Sequence, residues 1–219
     1  VENDDESVDC WGVERVYRNI GGTLPVSATW SSQLPDDSTS LSWGDVDNDG
    51  DLDLAVGNRW QANVLYLNNR GRLGVDPAWQ SDEEELTSSI AWGDVNGDGY
   101  LDLAVGNEEE ASRLYHNSHG ELAKAFTWAA LDSGATSEIA LGDIDGDSDL
   151  DLVVNDQTLL RVYRNEGGAL TGAATWSAEV CTRNNQNDNP SCPALALGDT
   201  DNDGDLDVAV DTKLIVNQH

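Results

Sequence analysis

Methionine is absent from the 219 residues, and histidine and cysteine contribute only three each. Basic residues are scarce too: 11 Lys and Arg stand against 42 Asp and Glu, a formal net charge of −31. A chain this acidic repels other polyanions, which excludes nucleic acid as a partner. No apolar run approaches the roughly 18 residues of a membrane span, so membrane insertion is excluded as well. No leader segment is visible. Without Met and beginning at Val1, the sequence reads as a processed chain or a piece of something longer. A usable Asn-x-Ser/Thr acceptor is also missing, because Asn189 precedes Pro190.

What is present points to a fold. Hydrophobic residues make up 38%, with 8 Trp and 21 Gly, enough apolar material for a core and too much for a disordered polyanion. A folded chain of this charge needs bound cations to offset its self-repulsion.

The strongest signal is an internal repeat. DVDNDGDLDLAV begins at Asp45, DVNGDGYLDLAV at Asp94, DIDGDSDLDLVV at Asp143 and DTDNDGDLDVAV at Asp199, at spacings of 49, 49 and 56. A second phrase follows each: VLYLNN to Asn69, RLYHNS to Ser118, RVYRNE to Glu166 and KLIVNQ to Gln218. An earlier RVYRNI ends at Ile20 with no acidic loop before it. A third phrase ends in Trp30, Trp79, Trp128 and Trp176.

Within one repeat, Ser40–Trp43 alternates polar and apolar, as a half-buried strand does. Leu52–Val56 reads as a buried strand and Asn63–Leu67 as a third, followed by the turn signal Asn68-Asn69-Arg70-Gly71. The segment from Leu73 to Trp79 is expected as a fourth, edge strand, with Pro77 suited to an edge. No segment carries a helical period. Four short strands per 49 residues predict an all-β fold, a β-propeller of four-stranded blades. Four to five blades are expected, the first and last partial. The whole of 1–219 is one domain: a partial repeat 1–38, repeats of about 39–87, 88–136 and 137–192, and a partial repeat 193–219.

Each acidic loop reads D-x-[DN]-x-D-[GS]-x-x-D. Carboxylates at alternate positions converge on one centre when the chain curls, and hard oxygen donors in that number suit Ca²⁺ better than Mg²⁺. The expected ligands are Asp45, Asp47, Asp49, Asp51 and Asp53; Asp94, Asn96, Asp98, Tyr100 and Asp102; Asp143, Asp145, Asp147, Asp149 and Asp151; and Asp199, Asp201, Asp203, Asp205 and Asp207. The seventh residue (Asp51, Tyr100, Asp149, Asp205) is expected to offer its backbone carbonyl. Up to four Ca²⁺ follow. An EF-hand is excluded, because its twelfth-position Glu is replaced by Val56, Val105, Val154 and Val210. Two loops depart from the pattern: Asn96 removes a carboxylate, and Ser148 stands where glycine makes the sharp turn.

With these loops preceded by Trp-Gly or Leu-Gly and followed by an LDLAV strand, the chain resembles the FG-GAP/VCBS repeat family. The resemblance covers 39–219 well and 8–30 partly. It implies a β-propeller of the integrin α-subunit type with Ca²⁺ between adjacent strands of a blade. Family members serve adhesion, glycan binding, matrix assembly and attachment to enzymes, so the resemblance does not select one function.

Other residues are read more plainly. The in-register Trp30, Trp79, Trp128 and Trp176 suit blade packing. Trp43 and Trp92 align with Leu141 and Leu197 and are expected in the core. Trp11 and Trp60 lie beside loops, where packing at a loop base competes with a sugar-binding platform. His116 and His119 form H-x-x-H, expected as surface residues without metal. Cys181 and Cys192 flank the extra residues of the last spacing and are expected to form a disulfide, leaving Cys10 free or paired between chains. No triad-like order of Ser, His, Asp or Cys is visible, so no enzyme is expected.

The resulting expectation is an extracellular or cell-surface, Ca²⁺-stabilised structural or adhesive module with a protein or glycan ligand. Self-association into oligomers or fibres is expected, because the partial first and last repeats leave open ends. A Ca²⁺-dependent lectin and an accessory domain of a larger secreted protein are the alternatives.

Overall fold

Alternation at Ser40–Trp43 and the β-rich LDLAV segment form an antiparallel pair, Ser38–Gly44 with Asp53–Tyr66. A computed structural model describes residues 12–132, 134–180, 194–210 and 213–215. The expected Cys181–Cys192 disulfide, Cys10 and Trp11 lie outside the described residues. Every described element is a strand, turn or bend, so the fold is all-β and β-propeller-like.

The inner hairpin of each unit repeats in one register. Gly44 pairs with Asp53, Gly93 with Asp102, Gly142 with Asp151 and Gly198 with Asp207. Three of the hairpins carry an irregularity at the same place, between Ser38 and Ser40, Thr87 and Ser89, and Thr136 and Glu138. The third unit is a four-stranded sheet: Thr136–Gly142, Asp151–Asp156, Leu159–Tyr163 and Trp176–Glu179. The last unit has three described strands, and the partial first unit has two, Arg15–Val16 and Trp30–Ser31.

Two strand boundaries differ from expectation. The second and third strands of the first full unit form one element, Asp53–Tyr66. It bends where Trp60 adopts a φ of 56° and the Asn58 amide bonds to Asn63 Oδ1. The outer strand of that unit starts at Trp79 and runs on to Gly93, becoming the inner strand of the next unit and joining two units in a six-stranded sheet. Residues 80–89 contain no Gly or Pro to break it, whereas Gly134 interrupts the next junction. The segment 73–78 is therefore a turn leading to the edge strand; Asn68 bridges Leu73 and closes it.

The core lies between successive units. Val46, Ala55, Leu65 and Trp79 of one unit pack with Leu103, Val105 and Tyr115 of the next. Val95, Ala104 and Leu114 pack with Leu152, Val154 and Tyr163 one unit later. Trp30, Trp79 and Trp128 each meet a tyrosine of the following unit edge to face, Tyr66, Tyr115 and Tyr163, with centroids 5.2–5.5 Å apart. This geometry suits the ring quadrupoles and bears out the packing role of these tryptophans.

Glycine sets how close the units come. A Cβ on Gly44 would sit 2.8 Å from Trp92 Cδ1, one on Gly93 2.7 Å from Leu141 Cδ1, and one on Gly142 2.7 Å from Leu197 Cδ1. Trp43 does not follow its counterparts into the core: it is 46% exposed. No complete unit precedes it among the described residues, so its ring has no glycine to cover.

Gly44→Ala should lower stability by about 1–3 kcal/mol, because the rigid Trp92 ring must move. Gly198→Ala, with nothing within 4 Å of its would-be Cβ among the described residues, should be close to neutral. Urea unfolding of both variants checks this; equal midpoints would refute it.

Candidate metal centres

Each acidic loop is the turn of an inner hairpin, closed by the Gly–Asp pair at its base. The first carboxylate curls the loop. Asp45 accepts the amides of Asp49 (3.1 Å) and Gly50 (3.0 Å), and Asp94 those of Asp98 (3.0 Å) and Gly99 (2.8 Å). Asp143 accepts those of Asp147 and Ser148, and Asp199 that of Gly204. The fifth carboxylates repeat an Asx-type bond: Asp49, Asp98, Asp147 and Asp203 accept the amides of Asp51, Tyr100, Asp149 and Asp205.

The ninth carboxylate is structural as well as acidic. Asp53 is fully buried and accepts the Val46 amide at 3.0 Å and the Asn68 amide at 2.7 Å. Asp102 does the same with Val95 and Asn117, and Asp151 with Ile144 and Asn165. Burial raises all three carboxyls above the usual range; the backbone amides bonded to each pull the other way. Neighbouring loop carboxylates add to the rise at Asp53 and Asp151, while His116 opposes it at Asp102.

The folding brings together Asp45, Asp47 and Asp53; Asp143, Asp145 and Asp151; and Asp199, Asp201 and Asp203. In each group one oxygen per residue lies within 4.8 Å of the others. Two oxygens bound to one Ca²⁺ at about 2.3–2.6 Å can be no more than about 5 Å apart, so these donor sets fit that ion. The second loop offers Asp94, Asp98, Asp102 and the Asn96 amide oxygen, which here accepts the Asp98 amide at 2.9 Å. Asp51 and Asp149 turn their side chains to the amides of Arg70 and Gly167, which leaves their backbone carbonyls as the groups to offer. Tyr100 packs its ring against His119. Asp205 and Asp207 complete the fourth loop, where Asp207 accepts the Thr200 amide.

Two features escape the loop pattern. Arg164 forms an ion pair with Asp145, setting a fixed cation in competition with any metal at the third loop. Asn117 Nδ2 donates to Val46 O at 2.8 Å and Asn165 Nδ2 to Val95 O at 2.6 Å, tying each loop to the following unit. The recurring Asn of the second phrase was the available signal for this tie. Ser148 has a φ of 78°, where the other loops have Gly50, Gly99 and Gly204 in left-handed backbone. His116 and His119 do not form a metal group with other residues among those described. Trp60 is 58% exposed, away from the loop-base packing weighed for it.

Ser148→Gly should raise stability by about 1–2 kcal/mol by removing a left-handed non-glycine residue; an unchanged thermal midpoint would show that the turn carries no strain. Asp53→Ala should cost about 1–3 kcal/mol for each buried amide it orphans. That loss should persist in chelator; a loss seen only with Ca²⁺ would make Asp53 a ligand alone.

No curated protein matches the chain. Among solved structures, the complex of BBS1N with ARL6DN aligns at 15% identity and a TM-score of 0.51, over 72% of this chain and 48% of that one. At that identity the likeness shows fold alone. The V. cholerae biofilm matrix protein Bap1 aligns at 17% identity and a TM-score of 0.48, over 84% and 31%. A Chaetomium thermophilum Polycomb Repressive Complex 2 structure aligns at 11% identity and 0.44, over 60% and 29%. This chain spans less than half the length of each. The FG-GAP-like repeat matches residues 7–56, 45–105, 94–154 and 143–210, nearly the whole chain, and the chain belongs to that family.

Proposed function

We propose that this chain is an extracellular interaction module, without catalytic activity, whose acidic loops hold Ca²⁺. The observation that carries the reading is the convergence of Asp45, Asp47 and Asp53, repeated at Asp143, Asp145 and Asp151, on hairpins of one register. Bound Ca²⁺ would neutralise the loop carboxylates and cross-link the two inner strands of a unit. The chain's own residues do the rest: the first and fifth carboxylates shape the loop, and the ninth anchors it to the third strand. Extracellular Ca²⁺ concentrations suit exposed loops of this kind, and the family assignment supports that location. A structural or adhesive role fits a fold whose surface is loops and edges, with the chemistry confined to the turns.

A lectin is the second reading, favoured by Trp60, an exposed ring held at a strained bend with Arg59 and Glu108 ion-paired beside it. A glycan array run with Ca²⁺ separates the two: ligands lost on Trp60→Ala favour the lectin, and an empty array the structural module.

Calorimetric titration of chelator-treated protein with Ca²⁺ tests the metal reading. Two or more sites are expected, with the thermal midpoint rising by several degrees as they fill. The Asn96 and Ser148 loops should bind more weakly than the loops opened by Asp45 and Asp199. No heat of binding and no midpoint shift would refute the Ca²⁺ assignment, and equal affinities would refute the ranking.

A further inference from the structure

Two junctions between units set carboxylates against an arginine. Where the second full unit meets the first, Arg113 pairs with Glu85 and lies 3.7 Å from Glu83. The Tyr115 hydroxyl, on the same strand face, donates to Glu83 Oε2 at 3.0 Å. One unit later Arg161 pairs with Asp156 and lies 3.6 Å from Asp132, and the Tyr163 hydroxyl donates to the Asp132 carbonyl. Glu85 and Asp156 are buried, where a carboxylate is costly unless a cation or donors meet it.

The junction between the partial first unit and the first full one keeps the acids and lacks the arginine. Asp36 stands as far beyond Trp30 as Glu85 stands beyond Trp79. Backbone pairing brings Glu14 alongside it: Gly12 and Asp36 exchange amide bonds of 3.2 and 2.8 Å, and the Ser32 amide donates to Glu14 O. Glu14 and Asp36 are 7% and 8% exposed. In the second phrase the counterpart of Arg113 and Arg161 is Val64. None of the ion pairs among the described residues involves Glu14 or Asp36. Residues 1–11 contain no Lys, Arg or His to supply the missing charge.

Three buried oxygens at this junction have no hydrogen-bond partner among the described residues: Glu14 Oε2, Asp36 Oδ2 and the Tyr66 hydroxyl. The other Glu14 oxygen accepts Ser38 Oγ at 2.6 Å. Tyr66 is fully buried beside Ser32, whose hydroxyl is already engaged by the Glu14 amide and the Leu34 carbonyl. The three groups lie within one another's fields. Burial first, then the charge of Glu14, lifts the Asp36 carboxyl above its usual range. Burial, then Glu14 with Asp36 adding to it, pushes the Tyr66 hydroxyl up to about 12.

We propose that Glu14, Asp36 and Tyr66 bind a divalent metal cation of the Ca²⁺ class, which replaces the arginine of the later junctions. Two carboxylates match its charge, and carboxylate and phenol oxygens are hard donors. Oxygens buried from water suit Ca²⁺ better than Mg²⁺, which retains several waters. Glu14 and Asp36 belong to one unit and Tyr66 to the next, so the ion would tie the two together. The site lies at the far end of the inner strand from the acidic loop: Asp36 precedes Ser38–Gly44, and the loop follows it. It shares no residue with the loops and does not rest on their holding Ca²⁺.

Native mass spectrometry of the full chain, freed of unbound Ca²⁺, counts the ions held by the wild type and by Glu14→Gln and Asp36→Asn. Each variant is expected to carry one Ca²⁺ fewer than the wild type. Neither substitution touches a loop, so ions missing from all three proteins report on the loops, and a difference of one ion reports on this site. Both substitutions are isosteric, and either alone decides the count if the other fails to fold. Thermal midpoints give a second readout. Asp36→Asn should melt higher than the wild type in chelator, where it relieves repulsion, and lower in Ca²⁺, where it removes a ligand. A midpoint raised equally in chelator and in Ca²⁺ would mean that the two acids share a proton instead, and overturns the proposal. Equal ion counts in the wild type and the variants overturn it as well.

Discussion

Everything in this molecule depends on a bulky apolar side chain lying on bare glycine backbone. No single unit has two faces to bury against one another. Its sheet is thin, and its apolar residues become a core only when the next unit covers them. Trp92 over Gly44 and Leu141 over Gly93 bring neighbouring sheets close enough for Tyr115 and Tyr163 to reach the edges of Trp79 and Trp128. Stability is then a sum over junctions, as in other repeat proteins.

The acidic loops are the second constraint, and they are built into the same hairpins. The ninth carboxylate is at once part of the donor set and the anchor of the loop. Asp53, Asp102 and Asp151 are buried with both oxygens engaged by backbone amides, an arrangement that favours the charged form against the cost of burial. The carboxylates at the first and third positions, half-buried in the loops of Asp45 and Asp143, and the exposed one at the fifth carry the repulsion that a bound cation would relieve. At the third loop Arg164 takes up part of that task through Asp145.

The loops and the strand count were legible because their signals are local: alternate carboxylates, a glycine at the turn, a β-rich run after it. The packing role of Trp30, Trp79 and Trp128 was legible because they recur in register; Trp176 recurs in the same register yet is 41% exposed. Trp43 was not legible. Its sequence neighbourhood matches that of Trp92, and the difference lies in which surface stands opposite, a property of another part of the chain. The merged strand Trp79–Gly93 was missed because strand breaks were inferred from the repeat rather than from a turn signal, and residues 80–89 contain none. The Arg164–Asp145 pair joins residues 19 positions apart with no sequence signal, and the recurring Asn117 and Asn165 marked a position but not the carbonyls 71 and 70 residues away to which they donate.

The claim on which the functional account rests is that these hairpin turns hold Ca²⁺. Crystals grown with Ca²⁺ and measured for its anomalous scattering test it most directly. The account predicts anomalous peaks inside the loops of Asp45–Asp53 and Asp199–Asp207, each within about 2.3–2.6 Å of the carboxylate oxygens that converge there. Ordered loops with no anomalous peak at saturating Ca²⁺ would contradict it.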